Sequence, residues 1–375
     1  MFTASRYAGL SGLAQDLPPT TAVLLVNLGT PEAPTTAAVR RYLGEFLADP
    51  RVVESPRWLW WLILHGLILR RRPQHSAQAY ARIWTQQGSP LRIHSEALTK
   101  ALDAHLQQHT PGPLRIALAM RYGQPSINKT MLELQHQGVR RLLLLPLYPQ
   151  YSASSTGSVI DAVGTTLRSM RWPPELRTIN DYHLDTGYLD ALTASVRRHW
   201  HEHGRRECLL LSFHGLPKSY IQAGDPYLSQ CQATAQALRE RLQLTGQELR
   251  VSFQSRVGRQ PWLTPYTEHM LATLPGQGVR RIDVLCPGFA VDCLETLEEI
   301  ALRGHDTFLA AGGEELHYIP ALNVHPSHVQ ALANLALQHL QGWSNFGVSV
   351  STLNKEHHPH APQALADQQH GRTSE

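Results

Sequence analysis

The segment LCPGFAVDCLETLEEI (285–300) ends an apolar run at Cys286, turns through Pro287-Gly288 and then gathers Asp292, Glu295, Glu298 and Glu299. A helix starting at Asp292 would take Asp292 as N-cap and Glu295 as N3, a capping box that contributes about 1 kcal/mol. On that helix Asp292, Glu295 and Glu299 share a face by i, i+3, i+7 spacing, while Glu298 points elsewhere. A second reactive group stands in LLSFHGLP (210–217), where His214 ends an apolar run just ahead of Gly215 and Pro217. Imidazole is a base near neutral pH and a common metal ligand. One histidine and one carboxylate are too few for structural zinc, which wants four ligands. They suit an ion that is received and passed on, with a proton acceptor beside it. Capping and metal handling both remain open for the acids.

Residues so placed need strands that end at a cleft, and the chain repeats itself in a way that supplies them. LLVNLGTP (24–31) answers LLSFHGLP (210–217), LRIALAMRYGQP (114–125) answers LRVSFQSRVGRQP (249–261), and GVRRLLLLPLYPQYSASSTGS (138–158) answers GVRRIDVLCPGFAVDCLETLEE (278–299). The second pairing sets Arg121 against Arg256. Helical spacing appears at 97–109, 127–138, 227–243 and 266–278. Strands alternating with helices imply parallel βαβ units, and unbroken apolar runs such as RLLLLPL suit fully buried parallel strands. The expected fold is therefore α/β: two similar, doubly wound, Rossmann-like halves, each with a parallel four-stranded sheet, facing each other across a cleft. Ligands in such sheets lie beyond the carboxyl ends of the strands. The expected boundaries are an N-terminal extension at 1–20, a first half at 21–180 and a second half at 181–342. A C-terminal helix of the second half packs back on the first, and 343–375 forms a disordered tail. The first half carries about 50 extra residues, an insertion at about 40–90 placed to form a lip.

That insertion holds WLWWLILHGLILRRR (58–72), whose apolar part is far shorter than the ~20 residues that span a bilayer. It reads either as a buried helix or as an amphipathic one that meets an apolar ligand or a membrane surface, with Arg70, Arg71 and Arg72 at its polar end. The 375-residue chain is 42% hydrophobic and 17% charged, with a net charge of +4, which suits a sizeable core and gives no case for nucleic-acid binding. Four cysteines without a CxxC pair suggest reduced thiols and a cytoplasmic setting. No export signal is expected. No G-x-G-x-x-G follows the first strand, and neither a P-loop nor a G-x-S-x-G elbow is present, so nucleotide and serine-hydrolase readings lose ground.

The residues resemble ferrochelatase, across about 22–340. The most specific stretch is LLLSFHGLPKSYIQAGDPY (209–227); segments 26–54, 148–158, 253–265 and 292–299 are similar to the family's other blocks, in its order. The resemblance implies a porphyrin cleft between the halves and insertion of Fe²⁺, as a substrate, into protoporphyrin IX to form protohaem. It implies His214 and Glu295 as the catalytic and metal-handling pair, and Leu28, Arg121, Tyr122 and Tyr148 as pocket lining. It also implies peripheral membrane contact through 58–72. Ala153 stands where animal relatives carry a cluster cysteine, and no Cys follows Cys293. No iron–sulfur cluster, no permanently bound cofactor and a monomer are therefore expected. The alternatives are a coproporphyrin III ferrochelatase, a cobalt or nickel chelatase of a related tetrapyrrole, and a porphyrin carrier without turnover.

Overall fold

The computed structural model describes Tyr7 and residues 17–110, 112–258 and 260–343. The expected tail lies outside these residues apart from Trp343, as does most of the expected N-terminal extension. Eight strands form two sheets: β1 (Thr20–Asn27), β2 (Leu114–Met120), β3 (Val139–Pro146) and β4 (Glu175–Thr178), then β5 (Cys208–His214), β6 (Leu249–Gln254), β7 (Arg281–Leu285) and β8 (Glu315–Ile319). The orders are β2-β1-β3-β4 and β6-β5-β7-β8, and every pairing is parallel. The central strand β1 reads TTAVLLVN and is buried along its whole length, as a strand with layers on both faces must be.

Helices cross between the strands with ordinary local signals. Ser126 accepts from the Lys129 N–H to cap the helix Ile127–His136, and Asp185 caps Thr186–His203 through the Tyr188 N–H. The helix Pro90–His109 places Leu98, Leu102 and Leu106 on its sheet-facing stripe, each 0% exposed. Truncating any of them to Ala would cost about 2–5 kcal/mol. The last helix of each half crosses over. Thr186–His203 follows β4 but packs on β8, and Pro326–Leu340 follows β8 but packs on β3 and on Pro90–His109. This exchange ties the halves together.

The strand registers refine the internal repeat. Asn27 pairs with Met120, and its counterpart Phe213 pairs with Phe253. The β2/β6 match therefore slides by two residues from the one that the sequences suggest. Arg121 corresponds to Gln254, not to Arg256, and Pro125 corresponds to Pro265: Met120 N–H donates to Pro125 O as Phe253 N–H donates to Pro265 O. The loop after β6 is longer, and the shared Arg, Gly and Pro letters drew the alignment out of register.

Candidate active site

The carboxyl ends of the strands open on a cavity of about 1570 Å³ shared by both halves. That exceeds the roughly 300–1,000 Å³ of pockets for drug-sized ligands. Leu28, Phe46, Trp60, Ile68, Tyr148 and Trp262 supply apolar and aromatic wall, and His214, Glu295, Glu298 and Glu299 stand on the same lining.

His214 is the last residue of β5 and half-buried. Its Nδ1 lies 2.7 Å from the Gly215 carbonyl oxygen. A carbonyl only accepts, so Nδ1 carries the proton and Nε2 keeps the lone pair. Gly215 is needed for this placement, because a Cβ there would sit 2.8 Å from the Gln254 carbonyl oxygen and 3.1 Å from the Trp262 ring. Gln254 pairs with His214 across β5 and β6 and donates from Nε2 to the Glu295 carbonyl oxygen at 2.7 Å. It also accepts from Ser212 Oγ at 2.6 Å. This one amide links the strand that carries the histidine to the turn that carries the glutamate.

The acids do not form the helix expected of them. The N-cap is Cys293, whose N–H donates to Thr296 Oγ1 at 3.0 Å, so the capping box falls one residue after the Asp292–Glu295 pair. Asp292 is buried and turned from the cavity, accepting from Tyr318 Oη at 2.6 Å, Asn323 Nδ2 at 2.7 Å and Thr296 Oγ1 at 3.0 Å. After three α-helical residues the chain winds as a π-helix over Leu297–Gly304. The wider turn brings Glu295, Glu298, Glu299 and Arg303 to the wall together, so Glu298 does not face elsewhere. Glu298 is held by Arg82 at 3.1 Å and Arg303 at 3.4 Å. Glu299 accepts from the Ser255 N–H at 2.8 Å and from Ser255 Oγ at 2.6 Å.

Glu295 has a guarded setting. Burial lowers the pKa of the Arg72 guanidinium, and the charge of Glu295 opposes that shift. Burial pushes the Tyr80 hydroxyl well above its usual range, with Glu295 adding to it; Tyr42 is raised by burial, Tyr80 and Glu295. Burial and then Glu295 likewise raise the Cys293 thiol, so it stays protonated. The Glu295 charge is thus felt by two buried hydroxyls, a buried thiol and one arginine.

Of the remaining expected pocket residues, Leu28 and Tyr148 line the cavity, whereas Arg121 and Tyr122 stand behind its wall. Arg121 binds Asp49 at 2.5 Å and Ser158 Oγ at 2.6 Å, and the fully buried Tyr122 donates to Asp49 at 2.8 Å. Burial alone would raise Asp49, but Ser158 and the Arg51 N–H hold it below the usual carboxylate range. This ionic knot fastens the end of the helix Thr36–Ala48, ahead of the lip, to the end of β2 and the start of the helix Ser158–Ser169. Sequence reasoning missed Gln254, Ser255, Arg72, Tyr42 and Tyr80. Gln254 carried a usable signal, as the residue beside His214 once β5 and β6 are in register. The others come from segments distant in the chain.

The lip comprises the helix Arg57–Ile63, a π-turn Leu64–Ile68 and the helix Leu69–Ile83. Its apolar residues are not a buried helix: Trp58 is 71% exposed, Trp61 59% and Leu62 54%, while Trp60 and Ile68 turn to the cavity. Among the described residues no helix is long and apolar enough to cross a membrane.

Residues 20–340 match the Ferrochelatase family. Curated relatives that bear the name Ferrochelatase include the following three. That of Thioalkalivibrio sulfidiphilus (strain HL-EbGR7) is 50% identical over 96% of this chain and 98% of its own. That of Nitrosococcus oceani is 54% identical over 90% and 92%. That of Teredinibacter turnerae is 53% identical over 87% and 89%. Among solved structures, SirB from Bacillus subtilis with Fe3+ aligns with a TM-score of 0.48 at 13% identity, covering 87% of this chain and 98% of that one.

Proposed function

The chain belongs to the ferrochelatase family and inserts ferrous iron into a porphyrin in haem synthesis, and we propose that its porphyrin is protoporphyrin IX and that His214 and Glu295 carry the chemistry. The observation that supports this reading is the presence, on one large apolar-walled cavity, of an imidazole presenting an Nε2 lone pair and of Glu295, whose backbone carbonyl is held by Gln254, the strand partner of His214.

A flat porphyrin keeps its pyrrole protons in the ring plane. A wall shaped to bend the ring exposes nitrogen lone pairs on one face, with the strain supplied by binding energy from the rest of the macrocycle. Nε2 of His214 takes a pyrrole proton while Fe²⁺ enters. Glu295, with Glu298 and Glu299 on the π-helix that follows it, offers a carboxylate path for the departing protons or the incoming ion. Two protons leave for each ion inserted, so charge balances. Arg256 stands exposed on the cavity rim with its guanidinium over the Tyr266 ring at 4.9 Å, placed to meet a propionate. The apolar first-half wall favours vinyl groups over additional propionates. The same reading includes a monomer without resident cofactor or cluster, located in the cytoplasm, whose exposed lip contacts a membrane surface peripherally.

The test is anaerobic Fe²⁺ insertion by the full-length protein, with protoporphyrin IX and coproporphyrin III in parallel, for wild type, His214→Ala and Glu295→Gln. Preferential turnover of protoporphyrin, lost in both folded variants, is expected. Preference for coproporphyrin would overturn the substrate assignment, and near-full rates in the variants would overturn the site.

A further inference from the structure

Three side chains far from the cavity converge in the second half. His199 lies near the end of the helix Thr186–His203, Asp283 on β7, and His317 opposite it on β8, where the two are register partners. One donor atom from each lies within 4.8 Å of the others. Asp283 is completely buried and His199 is 8% exposed. His199 Nε2 and Asp283 Oδ1 stand 3.3 Å apart, yet neither has a hydrogen-bond partner. An orphaned ring nitrogen and an orphaned carboxylate oxygen facing each other in the interior are costly unless something sits between them. For a tetrahedral ion with bonds of ~2.0–2.1 Å, ligand atoms lie roughly 3.3–3.4 Å apart, the spacing of the His199–Asp283 pair.

The groups behind the three donors support ligation. Trp200 Nε1 donates to Asp283 Oδ2 at 2.8 Å, which fixes the carboxylate and leaves Oδ1 free. Glu315 lies 2.7 Å from His317 Nε2, which sets the proton there; the lone pair on Nδ1 then has Arg206 Nη2 at 3.4 Å, which a bound ion would have to displace. A carboxylate behind a histidine is the usual outer support of a metal-bound imidazole. Arg206 binds Glu315 at 2.6 Å, and two carboxylates against this one guanidinium leave the cluster net negative.

The internal repeat supplies a control. In the first half, Leu143 and Arg177 are the β3–β4 register partners corresponding to Asp283 and His317, and the helix Pro326–Leu340 brings His339 where the other brings His199. There Arg177 donates to the His339 carbonyl oxygen at 2.7 Å and stacks over Trp343 at 4.2 Å. The same slot is closed by a cation on an aromatic ring in one half, whereas in the other Arg206 sits beside Glu315 and His317 and leaves His199 Nε2 and Asp283 Oδ1 without a hydrogen-bond partner. We propose that His199, Asp283 and His317 form a second, non-substrate metal site for a zinc-class divalent cation, pinning the crossed-over helix to β7 and β8. Its N,N,O donor set takes zinc in preference to ferrous iron, which stands lower in the affinity order.

The test uses the full-length chain carrying His214→Ala with His357, His358 and His360 changed to Ala, so that other histidine sites do not compete. Titration with Zn²⁺ alone should show one equivalent bound and a raised Tm. Co²⁺ should give the intense visible bands of a tetrahedral site. Adding His317→Ala, at the partly exposed rim, should weaken Zn²⁺ binding at least 100-fold and abolish the Tm shift. Adding Asp283→Asn should do the same; if that variant fails to fold, His317→Ala decides. Zinc binding unchanged by His317→Ala, or no bound equivalent in the starting protein, would overturn the proposal.

Discussion

The two halves present corresponding residues to one cavity, and these differ in chemistry far more than in geometry. Leu28 and His214 both follow the last buried residue of a central strand, and both precede a glycine, Gly29 or Gly215, packed against the neighbouring strand's backbone. One half spends that position on apolar wall and the other on a base. Arg121 and Gln254 correspond likewise. The first is locked to Asp49 behind the wall, and the second joins His214's strand to Glu295. On the function proposed above, a duplicated scaffold yields one binding face and one reactive face, because identical strand ends do not require identical side chains.

Replacing the base should test that division most severely. His214→Ala is expected to lower kcat about 10²–10⁴-fold, the usual contribution of a positioned acid or base. Leu28→Ala should change kcat only a few-fold and act mainly on KM. Equal losses of kcat in steady-state assays would break the comparison. The two glycines come next. A Cβ at Gly29 would sit 1.8 Å from the Tyr122 carbonyl oxygen, at a φ of +107°, so Gly29→Ala should cost more than about 3 kcal/mol. Gly215→Ala, with its nearest contact at 2.8 Å and no positive φ, should cost less stability but still lower turnover by displacing the carbonyl that holds His214 Nδ1. Denaturation midpoints and rates on the same samples separate the two effects.

A third contrast lies on the crossed helices, where Tyr188 and His328 occupy corresponding positions. Burial holds His328 down to about 4 from an ordinary 6.5. Between those values the unfolded chain binds more protons, so stability is full above pH 6.5 and falls as pH drops through 4. The shift corresponds to about 3 kcal/mol. Tyr188 does not titrate in that window. His328→Gln should therefore flatten the pH dependence of the denaturation midpoint between 6.5 and 4.5, and an unchanged slope would assign it to other groups. The smallest expected change belongs to the lip, which the second half lacks. Trp58→Ser with Trp61→Ser should shift stability by no more than about 0.5 kcal/mol, because both rings are already exposed. Association with phospholipid vesicles, measured by co-sedimentation, should nevertheless fall; undiminished association would place membrane contact elsewhere.

Much of this architecture is local in origin and was readable as such. Runs such as CLLLSFH and RRLLLLP, set between helical patterns, read as buried parallel strands, and their polar or proline ends mark where a cleft is expected. His214, placed one residue before a glycine that must approach its neighbour closely, is identifiable from the chain alone. So is the presence of acids beside the cavity. What the sequence left undetermined depends on register and winding. The two-residue slide between β2 and β6 is set by backbone pairing that matching letters conceal, and it decided that Gln254, not Arg256, corresponds to Arg121. The π-winding after Thr296 reassigned the acids, sending Asp292 into a buried network with Tyr318 and Asn323 and bringing Glu298 to the wall. Arg72, Tyr42 and Tyr80 feel the charge of Glu295 because the helix Leu69–Ile83 packs both on the turn that carries it and on the helix Thr36–Ala48. His199, Asp283 and His317 meet because a helix crosses to the other sheet. Local pattern fixes elements and their ends, since it depends on neighbouring residues; which distant side chains share a site is decided by packing, which couples residues hundreds of positions apart.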